Sequence, residues 1–125
     1  MDRTFHVYEC FVHALSKTKY VIPVLPSGSS WLCLLINSNL TTAQQSRRKL
    51  APCVVALPAA THGFLAWDSF IVVDSGFYLA DASLNHILGA IATPSQRSVV
   101  AAIRACPIMP TRTKARVLAN LERRV

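Results

Sequence analysis

Residues 84–103 read LNHILGAIATPSQRSVVAAI: a short apolar run, a glycine, a second start signal and a longer amphipathic run. Thr93 stands as an N-cap, with Pro94 at the first helical position and Gln96 at the third, the pattern of a capping box. Val99, Val100, Ile103 and Cys106 then fall on one face, and Arg97 and Arg104 share the other side, which predicts a helix over 94–106. Just ahead, Asp81 is placed to cap a short helix ending at Leu88, with Gly89 closing it in the left-handed conformation. Two linked helices would therefore follow the strand-like run DSFIVV, residues 68–73.

Working outward, PIMP at 107–110 ends the first long helix, and TRTKARVLANLERRV predicts another over 112–123. Its buried stripe is Val117, Leu118, Leu121 and Val125, while Arg112, Lys114, Arg116, Arg123 and Arg124 crowd the remaining surface. Upstream, FYL at 77–79 reads as a short strand after a turn at Asp74, Ser75 and Gly76, and CVVAL at 53–57 as a strand stopped by Pro58. YVIPVL and WLCLLIN flank the turn cluster PSGSS, so residues 20–37 form a hairpin. Pro23 confines its strand to an edge or a bulge because it has no N–H to donate. TFHVYECFVHAL, residues 4–15, fits either a strand or an opening helix, and the helix is the expectation carried forward. The fold class is α+β in one domain over 1–125, with strands across 20–79 and a helical closing section over 81–125.

Thirteen Lys and Arg against six Asp and Glu leave a net charge of +7, with 52% hydrophobic residues. That balance describes a folded basic protein suited to a polyanionic partner: nucleic acid, anionic lipid or an acidic protein. The most apolar window, 51–73, is interrupted by Pro58, His62 and Asp68, which argues against a membrane span. The N-terminal MDRTFHVYECF is too polar for a signal peptide. Cys10, Cys33, Cys53 and Cys106 are scattered in apolar company with no ligand spacing, so zinc is not expected. They read as buried free thiols in a reducing cytosol, and a cytoplasmic location follows.

The order of hairpin, polar loop, central strand, further strand and closing helix resembles that of the PemK/MazF-like toxins. The features that carry the resemblance are WLCLLINSN, CVVALPAAT, SFIVVDSGFYL and LNHILGAI, across residues 20–106. It implies a small SH3-like antiparallel β-barrel with C-terminal helices, metal-independent RNA cleavage, no cofactor, and as partners RNA, an acidic antitoxin and a second copy of the chain. Thr61 stands where the family has a threonine or serine after its central strand. Where the family places an Arg-Pro pair, this chain has Ser29, Ser30 and Trp31.

RNA cleavage without metal needs a base for the ribose 2′-hydroxyl, an acid for the leaving oxygen and a cation for the charge developing at phosphorus. His62 beside Thr61 at a strand exit is placed to transfer protons. Arg48 in the polar segment TTAQQSRRK is placed to hold phosphate, with Arg47, Lys49, Arg112, Lys114 and Arg116 as further nucleic-acid contacts. His6 and His13, seven residues apart, lack acidic neighbours at metal-site spacing, and His86 carries no stronger signal. Asp68 and Ser69 lack a nucleophile elbow and read as a strand-start cap. Trp31, Trp67, Phe70, Phe77 and Tyr78 read as core, with room for one exposed member beside the basic segment to stack on a base. A barrel that binds nucleic acid without cleaving it is the alternative. An adaptor or inhibitor that binds an acidic protein is a further one.

Overall fold

The computed structural model describes residues 2–38 and 53–125. Its strands are β1 (His6–Val12), β2 (Lys17–Ser27), β3 (Ser30–Asn37), β4 (Val54–Leu57), β5 (Ser69–Ala80) and β6 (Ile87–Ala90), followed by helices α1 (Thr93–Ala105) and α2 (Thr111–Leu121). Among the described residues, the six strands form one sheet in the order β4-β5-β3-β2-β1-β6, and every neighbouring pair is antiparallel. The expected α+β class, with an antiparallel sheet and closing helices, is what the chain adopts.

The hairpin forms as expected, with β2 and β3 joined through Gly28, whose φ of 59° supplies the left-handed position the tight turn requires. Pro23 falls in a central strand, and the register shifts between Pro23 and Leu25, so the bulge option is the one realised. In β3 the run Trp31 to Ile36 is buried on both faces. Leu32, Leu34 and Ile36 pack with the main core, which includes Val99, Ile103, Val117 and Leu121 from the helices. Trp31, Cys33 and Leu35 join Tyr8, Cys10, Val12, Val21 and Leu84 on the other face. A strand with apolar cover on both sides needs no polar alternation, which explains its uninterrupted hydrophobicity.

Several expectations are corrected. The N-terminal segment is a strand, not a helix: its β-branched and aromatic residues serve both apolar layers, Val7 in one and Tyr8, Cys10 and Val12 in the other. Residues 81–88 make one 3₁₀ turn, Asp81–Ser83, and the chain then enters β6, so Gly89 is a strand residue opposite Val7. The predicted turn at 74–76 is a bulge within the continuous β5, because Leu34 faces Gly76 while Leu35 faces Val72. Glycine is needed at position 76, where a Cβ would lie 3.0 Å from the Cys33 carbonyl oxygen. Thr93 is the first residue of α1 and makes no capping bond. Gln96 reaches back instead, its Nε2 donating to the Ile91 carbonyl at 3.0 Å.

The cysteines divide into two classes. Cys10 and Cys33 are buried free thiols, as expected. Burial pushes the Cys33 thiol up to about 12 and the Cys10 thiol upward as well. Cys53 and Cys106 are joined in a disulfide, which corrects the free-thiol expectation for that pair. The packing of α1 against β4 brings the residue before β4 beside the residue after α1, with their Cα atoms 4.9 Å apart.

Candidate nucleic-acid interface

Pro58 ends the β4 ladder, and a 3₁₀ turn over Ala59–Thr61 follows. Asp68 Oδ1 accepts the Ala59 N–H at 2.9 Å, so Asp68 fastens this turn. His62, only 1% exposed, sits directly behind it. Its Nδ1 lies 2.8 Å from the Pro58 carbonyl, and its Nε2 accepts the Ala92 N–H at 3.0 Å. A carbonyl can only accept and an amide can only donate, so the pairing fixes the Nδ1–H tautomer. The imidazole ties the exit of β4 to the entry of α1 with both nitrogens in use. Thr61 Oγ1 lies 3.1 Å from the same Nδ1, and Thr61 itself is exposed.

Arg47, Arg48 and Lys49 lie outside the described residues. Arg112 and Arg116 are exposed on α2, as a phosphate-contacting surface requires. Lys114 is engaged otherwise: its ammonium donates to the Cys106 carbonyl at 2.6 Å and the Arg104 carbonyl at 3.2 Å. It thereby satisfies acceptors that α1 leaves open at its C-terminal end. Arg123 and Arg124 both donate to Asn120 Oδ1, and Arg124 also pairs with Asp2 at 2.7 Å.

A cleft of about 330 Å³ opens at one end of the sheet, lined by Thr18, Lys19 and Tyr20 of β2, Ile36 and Ser38 at the end of β3, and Leu65, Ala66, Trp67 and Ser69 ahead of and at the start of β5. Trp67 is 64% exposed. The backbone carrying it is braced, since the Leu65 N–H donates to the His62 carbonyl at 2.9 Å and Ser69 Oγ donates to the Trp67 carbonyl at 3.1 Å. Lys19 Nζ donates to Asn37 Oδ1 at 2.7 Å. Of the five aromatics read as core, Trp67 and Tyr78 are exposed instead, and Trp67 is the one that lines this cleft. Lys19 and Tyr20 were missed, and the only signal for them was the polar lead KTK into an otherwise apolar strand.

A second cleft, about 320 Å³, is lined by Arg3, Tyr8, Asp81 and Leu84 among others. Its cation is committed. Arg3 Nε pairs with Asp81 Oδ1 at 2.6 Å, Nη1 donates to the Leu84 carbonyl at 2.6 Å, and the guanidinium lies 5.2 Å from the Tyr8 ring centroid. Trp31 Nε1 donates to the same Asp81 oxygen at 3.1 Å. These contacts latch the N-terminal segment onto the start of the β5–β6 connection. Among the described residues no cluster of three His, Cys, Asp or Glu is placed to hold a metal ion. Among them, too, no helix is long and apolar enough to cross a membrane.

No protein-family model and no curated protein matches the sequence. Solved structures match by fold. An endoribonuclease in complex with its cognate antitoxin, from a mycobacterial species, aligns with TM-score 0.66 at 15% identity, covering 88% of this chain and 98% of that one. An endoribonuclease from a mycobacterial species aligns with TM-score 0.62 at 15% identity, covering 88% of this chain and 96% of its own. The Mycobacterium tuberculosis toxin MazF-mt6 aligns with TM-score 0.63 at 11% identity, covering 84% and 98%. The fold of this chain is therefore the fold shared by these two endoribonucleases and the toxin MazF-mt6.

Proposed function

We propose that this chain is a toxin-like RNA-binding protein of a toxin–antitoxin or mobile-element system, and that it cleaves RNA without a metal ion. The observation that carries this reading is the fold match, which spans 98% of an endoribonuclease chain. A net charge of +7 supplies the attraction to phosphate. Thr61, exposed where β4 ends, offers its hydroxyl to the scissile phosphate. His62 acts as a positioning residue, holding that turn against α1 through its bonds to Pro58 and Ala92. Arg48 stabilises the charge that develops at phosphorus, and Arg47, Lys49, Arg112 and Arg116 contact the backbone. The protein works in the cytoplasm. An acidic antitoxin and a second copy of the chain are its protein partners; the neighbour solved with its cognate antitoxin supports an antitoxin partner.

One observation favours a second reading, a barrel that binds RNA without cleaving it: the imidazole at the β4 exit is buried with both nitrogens engaged. Single-turnover cleavage of a labelled RNA in excess chelator separates the two. The first reading expects a 2′,3′-cyclic phosphate product and a rate lowered by about 10² to 10³ in Thr61→Val, the usual cost of removing one donor to transition-state charge. Binding with no cyclic phosphate product leaves the second reading standing. Neither binding nor cleavage assigns the basic surface to an acidic protein partner.

A further inference from the structure

We infer that the cleft between β2, the end of β3 and the Leu65–Trp67 turn is a pocket for one unpaired nucleobase, with the Trp67 indole as its stacking face. This rests on the RNA-binding reading above and names the part of the ligand that the cleft takes. An indole is the largest apolar side chain, and a folded chain ordinarily buries most of it. Here it is 64% exposed beside a concave surface of about 330 Å³. That exposure does not come from a loose segment. Bonds at His62 and Ser69 brace the turn on either side of the ring, and Leu65 is anchored in the core.

The chemistry of the lining selects among occupants. Thr18, Ser38 and Ser69 bring hydroxyls, Tyr20 and Ile36 bring apolar surface, and Lys19 brings a cation held by Asn37. No carboxylate is among the described residues that line it. An aromatic face, hydroxyl partners and an adjacent ammonium are what a base and its phosphate require together. The volume lies at the low end for small-ligand pockets, which suits a single nucleotide better than a peptide segment. A paired base is closed within its stack, so the ligand is single-stranded.

The test is equilibrium binding of a short oligouridylate, read by tryptophan fluorescence over a range of salt concentrations. A sugar-phosphate strand of the same length without bases serves as the comparison. The chain has two tryptophans and Trp31 is buried, so Trp67→Phe identifies which one responds. RNA should quench the wild-type emission, and Trp67→Ala should weaken binding by about 5- to 100-fold with the salt slope unchanged. The baseless strand should lose a similar factor, and Lys19→Gln should reduce the salt slope by about 0.7. Tyr78 is exposed but outside the cleft, so Tyr78→Ala should bind as wild type does. If RNA binds without quenching and Trp67→Ala binds equally well, the base pocket is wrong while the RNA reading stands. If the folded wild-type protein binds no RNA, both are wrong.

Discussion

His62 holds two backbone groups at once, so truncating it strands both. In His62→Ala the Ala92 N–H and the Pro58 carbonyl lose their partners, and a buried space opens beside Phe64, whose ring meets the imidazole edge-on. The expected loss is about 2–4 kcal/mol, combining unsatisfied polar groups with a cavity. Urea unfolding measures it, and a variant as stable as wild type would remove His62 from its fastening role. Two carboxylates paired with arginines, Asp2 and Asp81, set the acid response. Burial alone would raise the Asp2 carboxyl, but hydrogen bonds from Thr4 and Arg124 prevail and bring it from 3.8 to about 2. The Arg3 guanidinium likewise holds Asp81 below its ordinary value. A carboxyl with a depressed folded pKa leaves the unfolded chain to bind the proton first as pH falls. The contribution of Asp2 is therefore complete above about pH 4 and is lost towards about pH 2. Melting temperatures should fall across that window, and Asp2→Asn should make the fall shallower.

Lys114 ties the two helices together by placing its ammonium on carbonyls at the end of α1. Lys114→Ala should destabilise by about 1–2 kcal/mol, as expected for lost bonds from a charged donor. RNA affinity should keep its salt slope, because this cation is directed at backbone oxygens of its own chain. A changed slope in a folded variant would place Lys114 at the nucleic acid. The elements that could be read in advance had a single strong signal. WLCLLIN, CVVAL and FIVV are compact apolar runs, and the stripes of α1 and α2 repeat at helical spacing over eleven or more residues. The misread elements were short and owed their state to neighbours. β6 is four residues long and is a strand because β1 pairs with it. β1 carries apolar residues for two layers, which blurs the alternation that would have marked it. Thr93 fits a cap by composition, yet the approach to α1 is fixed by the hold of His62 on Ala92, thirty residues away in sequence. The same limit applies to the site. Nothing local in AWDS tells a core indole from one facing solvent, since that depends on which elements fold over it.

The molecule stacks two apolar layers about one sheet, with helices over the first and the β1–β2 residues, Trp31 and Leu84 closing the second. The Cys53–Cys106 bond runs within the first layer and spans a sequence separation of 53. It makes part of the chain a closed ring that contains β4, β5, β6 and α1, and leaves β1–β3 and α2 as open arms. A peptide bond cut inside the ring releases neither piece, because the sulfurs still join them. A cut at the basic run Arg47–Lys49, just ahead of Cys53, instead frees the first arm covalently. That arm would then stay in place only through non-covalent contacts, among them β3 against β5, β1 against β6, the Arg3–Asp81 and Arg124–Asp2 pairs and the shared core, so the chain would become a two-piece assembly whose integrity depends on its own concentration.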